Sequence, residues 1–268
     1  MAKRKGLHII VTIKQVPDTR EVCIDPKTNT LIREGVPSIV NPEDRNAVEA
    51  ALRLREQHGG KITVITMGPP QAEEALAEML AMGADHAVLL TDRVFAGADT
   101  LVTAFTLSRA VRKLEPFDLI ICGRQAIDGD TAQVGPQLAG FLDLPQITYA
   151  TKLTLKDTTL IAERSLEDGI EVVRVKLPVL VTVTADINQP RYPSLFKLQD
   201  ACSGSYITTW HAQHINVPQD MLGLAASPTW VKRNFTPTHE KRGTVITGTE
   251  KEMAAVLLRK LKELHFVQ

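Results

Sequence analysis

From Gly123 to Pro136 the chain reads GRQAIDGDTAQVGP. The apolar run FDLIICG before it reads as a buried strand, and QLAGFLDLP after it as a helix. A strand, a glycine-rich polar loop and a helix gather free backbone N–H groups at the positive end of a helix dipole, which is how many proteins hold nucleotides. The spacing is neither GxGxxG nor the phosphate-cradling GxxxxGK[ST]. Two carboxylates, Asp128 and Asp130, sit where a bare phosphate site would avoid negative charge. In a nucleotide site Thr131 offers its hydroxyl to a phosphate, and the two aspartates bond ribose hydroxyls. The other reading is that Asp130 and Thr131 only cap the helix. The loop by itself leaves both open.

Three other segments reach the same end of the predicted sheet, and ligands of doubly wound sheets bind outside the carboxyl ends of the strands. They are Thr12 to Gln15, the helix start Asn41 to Asp44, and Met67-Gly68-Pro69. Backbone donors at 41–44 and 124–134 can face one crevice. For Asn41 and Pro42 alone, plain capping is the simpler account: Asn41 as N-cap, Pro42 at the first helical position, Glu43 and Asp44 in the first turn. No Ser–His–Asp or Cys–His arrangement is visible, so no catalytic residue is assigned. The seven histidines lack HxxxH or HExxH spacing, and Cys23, Cys122 and Cys202 form no CxxC. No metal site or disulfide framework is expected, and a reducing compartment fits.

The elements that must position these residues follow from periodicity. LHIIVTIK, KITVITMG, HAVLLTD and FDLIICG read as strands. NPEDRNAVEAALRLREQHGG, PPQAEEALAEMLAMGAD and DTLVTAFTLSRAVRKLE read as the helices between them, the first closed by Gly59-Gly60. A small hairpin is expected around Thr28 and Asn29. Strands alternating with helices predict a doubly wound, mostly parallel, Rossmann-like α/β sheet covered on both faces. From about 146 to 186 the texture becomes strands with hairpin turns at Lys156-Asp157 and Asp168-Gly169, an antiparallel extension. Residues 188–243 are rich in Pro, Ser, Thr and Gly, and read as an extended arm or a long surface loop. TEKEMAAVLLRKLKELH then forms an amphipathic helix. The expected division is 1–187 for the nucleotide-binding α/β domain and 188–268 for a docking loop and C-terminal arm.

Bulk composition narrows the partners. Lys+Arg and Asp+Glu both number 31 among 268 residues, so the basic surface that nucleic acid requires is not expected, and aromatics at 4% do not favour stacking on single strands. The N-terminal apolar run HIIVTI is shorter than a secretory core, and no stretch approaches the roughly 20 apolar residues of a membrane span. A cytoplasmic protein without membrane insertion is expected.

These stretches together resemble a known family, the beta subunit of electron transfer flavoproteins. The resemblance runs through VTIKQVPD, NPEDRNAVEAALRLRE, AMGAD and GRQAIDGDTAQVGPQLAGFLDLPQ, then AERSLEDGIEVVRVKLPVLVTV and NQPRYPSL. It implies a heterodimer with an alpha subunit that carries FAD, and an adenine nucleotide in the beta subunit's own crevice. By motif that site comprises Thr12, Asn41, Pro42, Glu43, Asp44 and Met67, with the loop Gly123, Arg124, Gln125, Ala126, Ile127, Asp128, Gly129, Asp130, Thr131, Ala132, Gln133 and Val134. It also implies that the C-terminal arm embraces the alpha subunit. Arg191, Tyr192 and Leu195 resemble the loop that docks partner dehydrogenases, with Leu195 as anchor. The family's lysine-rich continuation is replaced here by FKLQDACSGSYITTW.

The family has two branches. In one the beta subunit holds a structural AMP. In the other it holds a second FAD, oxidises NADH and splits the electron pair between ferredoxin or flavodoxin and, through the alpha-subunit FAD, a partner such as an acyl-CoA dehydrogenase. The AMP branch tends to carry DDD where this chain has Asp128-Gly129-Asp130, and Gly129 leaves room for a pyrophosphate. VFAGADTLVT resembles the FAGxDT stretch of the bifurcating branch. There Phe95, Gly97, Asp99 and Thr100 border the flavin or receive NADH, or else form an Asp-Thr helix start with Phe95 in the core. Arg124 and Lys14 are candidates for tuning the flavin, or for contacting phosphate and supporting the loop. The bifurcating branch is the first expectation, the AMP branch the second, and a stand-alone nucleotide sensor of similar fold the third.

Overall fold

The structure, a computed structural model, describes residues 6–18, 23–24, 31–32, 37–203, 206–232 and 243–267. In chain order the strands are β1 (Leu7–Thr12), β2 (Gln15–Pro17), β3 (Cys23–Ile24), β4 (Leu31–Ile32), β5 (Ser38–Val40), β6 (Gly60–Met67), β7 (His86–Leu90), β8 (Leu119–Gly123), β9 (Gln146–Lys156), β10 (Thr159–Leu166), β11 (Gly169–Lys176), β12 (Val179–Val183) and β13 (Ile207–Trp210). The α-helices are α1 (Pro42–His58), α2 (Glu73–Met82), α3 (Thr100–Lys113), α4 (Val134–Leu142), α5 (Leu195–Ser203), α6 (Gly223–Ala226) and α7 (Glu250–Glu263). Two compact units result, one ending at Lys232 and one beginning at Arg233.

Nine strands of the first unit form one sheet in the order β11-β10-β9-β12-β8-β1-β6-β7-β13. β12, β8, β1, β6, β7 and β13 run parallel, and β9 to β11 form an antiparallel meander at the far side. The central strands are nearly continuous Val, Ile and Leu because both faces are covered. Ile9 and Val11 point to the side of α1 and α2, where Ala47, Val48, Leu52, Leu76 and Met79 complete one core. Ile10, between them, points to the other side, where Leu107, Val111, Leu138 and Leu142 of α3 and α4 complete a second. From β1 the chain winds outward through β6 and β7, then returns by way of α3 to β8 on the opposite flank of β1. The switch point between β1 and β8 sets Thr12 opposite Cys122, so Gly123 begins its loop at the rim of that junction.

Several helix bounds differ from those predicted. α4 begins at Val134, taking Gly135 and Pro136 into its first turn, and ends with Asp143 left-handed at φ 56°. The predicted helix 69–85 is a 3₁₀ turn, Pro70–Ala72, followed by α2. β3 pairs with β4 as a hairpin requires, while Thr28 and Asn29 themselves lie outside the described residues.

The larger correction concerns 188–243. Its first part is not an extended arm: α5 packs on α2, β13 extends the main sheet in parallel with β7, and the compact unit runs through Lys232. A four-residue strand, ITTW, is too short for a periodicity to stand out among Ser, Thr and Pro, and its pairing partner lies about 120 residues upstream by register. In the second unit, α7 starts with a capping box in which Thr249 and Glu252 bond each other's backbone N–H, and none of its residues is buried.

The start of β1 and the start of β6 approach too closely for side chains. Gly60 has φ 121°, and a Cβ there would lie 2.0 Å from the Leu7 carbonyl oxygen. Gly60→Ala is therefore expected to destabilise the fold by about 3 kcal/mol or more, read as a lowered urea midpoint. An unchanged midpoint would mean that the β1–β6 junction relaxes freely.

Candidate functional site

The first turn of α1 grips the loop that leaves β8. Asn41 is fully buried. Its side-chain nitrogen donates to the Gln125 carbonyl at 2.8 Å, and its side-chain oxygen accepts from the Ile127 N–H at 3.1 Å. It occupies the N-cap position but makes no side-chain cap bond. An amide, donor and acceptor at once, can meet both a carbonyl and an N–H of the passing backbone. Glu43 accepts the Gln125 N–H at 3.1 Å and pairs with Arg124 at 3.0 Å. Asp44 accepts the Lys14 N–H at 2.7 Å and also the Gly123 N–H. A Cβ on Gly123 would fall 2.2 Å from the Asp44 carboxylate, so only glycine lets the loop cross here.

Burial dominates the electrostatics beneath the loop. It pushes the Asp44 carboxyl up to about 7, against the hydrogen bonds from Asn41, Lys14 and Gly123 that favour its charge. It likewise pushes the Cys122 thiol up to about 12, with Thr12 as its hydrogen-bond partner, so Cys122 is an inert core thiol.

Farther out the loop is open. Asp128 is held by Lys14 through both carboxylate oxygens, at 2.6 and 2.8 Å, and Asp130 accepts from the Gln125 side chain at 2.9 Å. The two carboxylates thus have cationic or amide partners within the protein. Around a Cβ built on Gly129 nothing lies within 4 Å. Asp130 and Ala132 are left-handed, at φ 48° and 52°, a costly conformation for residues with a Cβ that recurs at binding sites. Helix α4 starts at Val134 after Gln133, whose side chain makes no cap bond. Capping by Asp130 and Thr131, one of the two expectations, is therefore not what they do. Among the described residues, the backbone N–H groups of Thr131 to Gly135 have no protein acceptor. The Arg124 Nε is buried with no partner among the described residues, and its guanidinium lies 5.9 Å from the Tyr149 ring centroid.

The predicted residues of 95–100 divide. Phe95 is in the core beneath α3. Asp99 caps α3 through the Val102 N–H at 3.0 Å and takes both the N–H and hydroxyl of Thr229, while Ser227 accepts the Asp99 N–H at 2.9 Å. Burial alone would raise its carboxyl, but these bonds hold it below the usual range. Gly97 and Thr100 stay accessible, and the Thr100 hydroxyl donates to Gln133 at 2.9 Å, joining the start of α3 to the loop. Met67 ends β6, half-buried against the second core. No local signal marks the strap 223–229 that Asp99 fastens, because its partner is 130 residues away in the sequence. Arg191 bonds Glu49 on the flank of α1, and Leu195 begins α5, which packs on α2.

Asp44 carries a pH signature. Its folded pKa lies above the ordinary 3.8, so the folded protein keeps a proton that the unfolded chain releases. Stability from this group is complete below pH 4, declines as pH rises towards 7, and is lost above it, a change on the order of 4 kcal/mol. Asp44→Asn cannot ionise. Its melting temperature relative to the parent protein should climb between pH 4 and 7 and level off above; parallel curves over that range would contradict the burial argument.

A cradle of free N–H groups, an orphaned guanidinium nitrogen and a loop crossing that tolerates no Cβ together fit an anionic, extended ligand better than a reacting centre. Comparison with known proteins agrees with a shared architecture. Residues 28–210 match the electron transfer flavoprotein domain. The chain is 54% identical over 261 residues, 97% of its length and all of the relative, to electron transfer flavoprotein subunit beta of Thermoanaerobacterium thermosaccharolyticum. It is 51% identical over 263 residues, again 97% of its length and all of the relative, to the caffeyl-CoA reductase-Etf complex subunit CarD of Acetobacterium woodii. It is 46% identical over 260 residues, 93% of its length and 90% of the relative, to protein FixA of Sinorhizobium fredii. The chain belongs to the electron transfer flavoprotein family, as a beta subunit that acts in electron transfer.

Proposed function

We propose that the crevice holds FAD and that the subunit belongs to the bifurcating branch. The observation that carries this reading is the loop from Asp128 to Gly135. Its N–H groups from Thr131 to Gly135 have no acceptor among the described residues, a Cβ at Gly129 would meet nothing within 4 Å, and the two aspartates are engaged by Lys14 and Gln125. Thr131 to Gly135 would bind the pyrophosphate at the α4 N-terminus. Asn41, Glu43 and Asp44 would fix the loop, and Arg124, with its unpaired Nε, would supply positive charge. Bound there, FAD would take a hydride from NADH and release the electrons separately, one to ferredoxin or flavodoxin and one, through the FAD of an alpha subunit, to an acyl-CoA dehydrogenase-type partner. Gly97 and Thr100 would border the ring and NADH, with Phe95 and Asp99 supporting them from below.

The name of one relative, a subunit of a caffeyl-CoA reductase-Etf complex, supports a place in such an assembly. Among the described residues no helix is long and apolar enough to cross a membrane. A cytoplasmic heterodimer is the setting we propose. The second reading, a structural AMP, is favoured by the presence of two carboxylates in the loop, since a monophosphate brings less charge past them.

Nucleotides released from the heterodimer co-purified with its alpha subunit decide between the two. FAD in the crevice predicts two FAD and no AMP per heterodimer; one FAD and one AMP would make the loop a structural clamp. Gly129→Asp sharpens the test. No protein atom lies within 4 Å of a Cβ at this position, so a loss of flavin in a variant that stays folded would report repulsion of the diphosphate. The variant should lose most of the crevice FAD yet still bind AMP, and unchanged flavin content would overturn this account of the loop.

A further inference from the structure

Arg191 was expected to touch a partner, with Tyr192 and Leu195. Its geometry assigns it elsewhere. The guanidinium has five N–H donors, and four are committed within this chain. Nε donates to Glu49 at 2.7 Å, Nη1 to Glu56 at 2.6 Å, and Nη2 to both, at 3.2 and 3.3 Å. The backbone N–H of Arg191 also reaches Glu49, at 3.3 Å. One donor remains, too few for a forked contact with a partner's carboxylate.

The acceptors belong to a polar stripe on one face of α1. Asn46, Glu49, Arg53 and Glu56 recur at helical spacing, and each engages the segment from Asn188 to Arg191. Asn46 donates to the Asn188 carbonyl at 2.7 Å, and Asn188 returns a bond to the Asn46 carbonyl at 3.0 Å. Arg53 bonds Glu49 at 2.7 Å and reaches the Gln189 carbonyl at 3.3 Å. Glu49 is only 4% exposed, so this is no loose surface pair. Its burial alone would raise the carboxyl, but the hydrogen bonds from Arg191 and Arg53 outweigh that and hold it below the usual range. Beyond the clamp the Ser194 N–H is tied to the Ala81 carbonyl of α2 at 3.0 Å. Between these roots and just after them project Tyr192, Leu195 and Phe196, 93%, 78% and 81% exposed.

We propose that Arg191 is a positioning residue: with Glu49 and Glu56 it locks the segment 188–196 to α1, so that Tyr192, Leu195 and Phe196 meet a partner protein already in their bound pose. The inference rests on the electron delivery to a dehydrogenase-type partner proposed above, with Leu195 taken as the docking anchor that the resemblance implies. Ordering such a segment in advance removes an entropic cost from association. Because α1 also holds the loop of the crevice at its first turn, one rigid helix sets the distance between the crevice and the docking projection.

The test uses the heterodimer, with backbone hydrogen exchange over 190–198 and electron delivery to an acyl-CoA dehydrogenase. Arg191→Met should speed exchange there about tenfold and raise the KM for the dehydrogenase by a similar factor, the scale of losing charge-assisted hydrogen bonds. Arg191→Lys, which keeps the charge but not the fork, should fall between. Glu49→Gln should reproduce the exchange change from the other side of the clamp. Leu195→Ala should raise the KM without altering exchange. If Arg191→Met raises the KM while exchange stays slow, Arg191 contacts the partner and the inference is overturned. If exchange rises in Arg191→Met but its KM stays at the parent value while Leu195→Ala raises it, pre-ordering has no consequence and the inference fails. If Leu195→Ala leaves the KM unchanged, the docking reading itself fails and takes with it the partner half of the inference; the exchange result still decides whether Arg191 holds the segment.

Discussion

The buried contact between the first turn of α1 and the loop after β8 is the constraint on which the site depends. Asn41 satisfies the Gln125 carbonyl and the Ile127 N–H in a place that water does not reach. An unmet backbone group there would cost about 1–3 kcal/mol, so the loop has one low-energy path. That path is available only because Gly123 has no side chain to collide with Asp44. Once the inner loop is fixed, the outer residues inherit their geometry, including the left-handed turns at Asp130 and Ala132 and the uncapped start of α4.

The same helix works at both levels. Its apolar face, with Ala47, Val48, Ala51 and Leu52, packs on β1 and β6 in the first core. Its first turn secures the crevice, and its polar stripe secures 188–191. A straight helix rises about 1.5 Å per residue, so Asn41 and Glu56 are separated by roughly 22 Å of nearly rigid backbone. Two surfaces built from distant parts of the chain are thereby referred to one frame.

The loop also resolves the tension in its own composition. Two aspartates beside a row of free backbone N–H groups look contradictory until their partners are known. Lys14 leaves β1 at the carboxyl end and reaches across to Asp128, and the Gln125 side chain covers Asp130. Both pairs are partly exposed, so each contributes little to stability. Lys14 offsets the charge of Asp128, while the neutral Gln125 amide only satisfies an Asp130 oxygen.

The sequence by itself determined the parallel core and the antiparallel extension, and it set the start of α1 and the loop after β8 at the same end of the sheet. Those features are written in local signals: Val and Ile runs for strands buried on both faces, 3.6-residue repeats for helices, Pro42 before and Gly59 after α1, and hairpin turns after Lys156 and Leu166. The motif resemblance added the family. Tertiary structure decided how the polar groups are paired. Asn41 is a cap by local rule, yet its partners lie 84 and 86 residues onward; Asp99 starts a helix, yet also fastens Thr229, 130 residues away; Arg191 looks like a docking contact, yet is spent on Glu49. A hydrogen-bonding side chain has several partners of similar strength to choose from, and the packed fold selects among them by proximity and burial. Periodicity is a property of neighbours in the chain, and that choice is a property of neighbours in space.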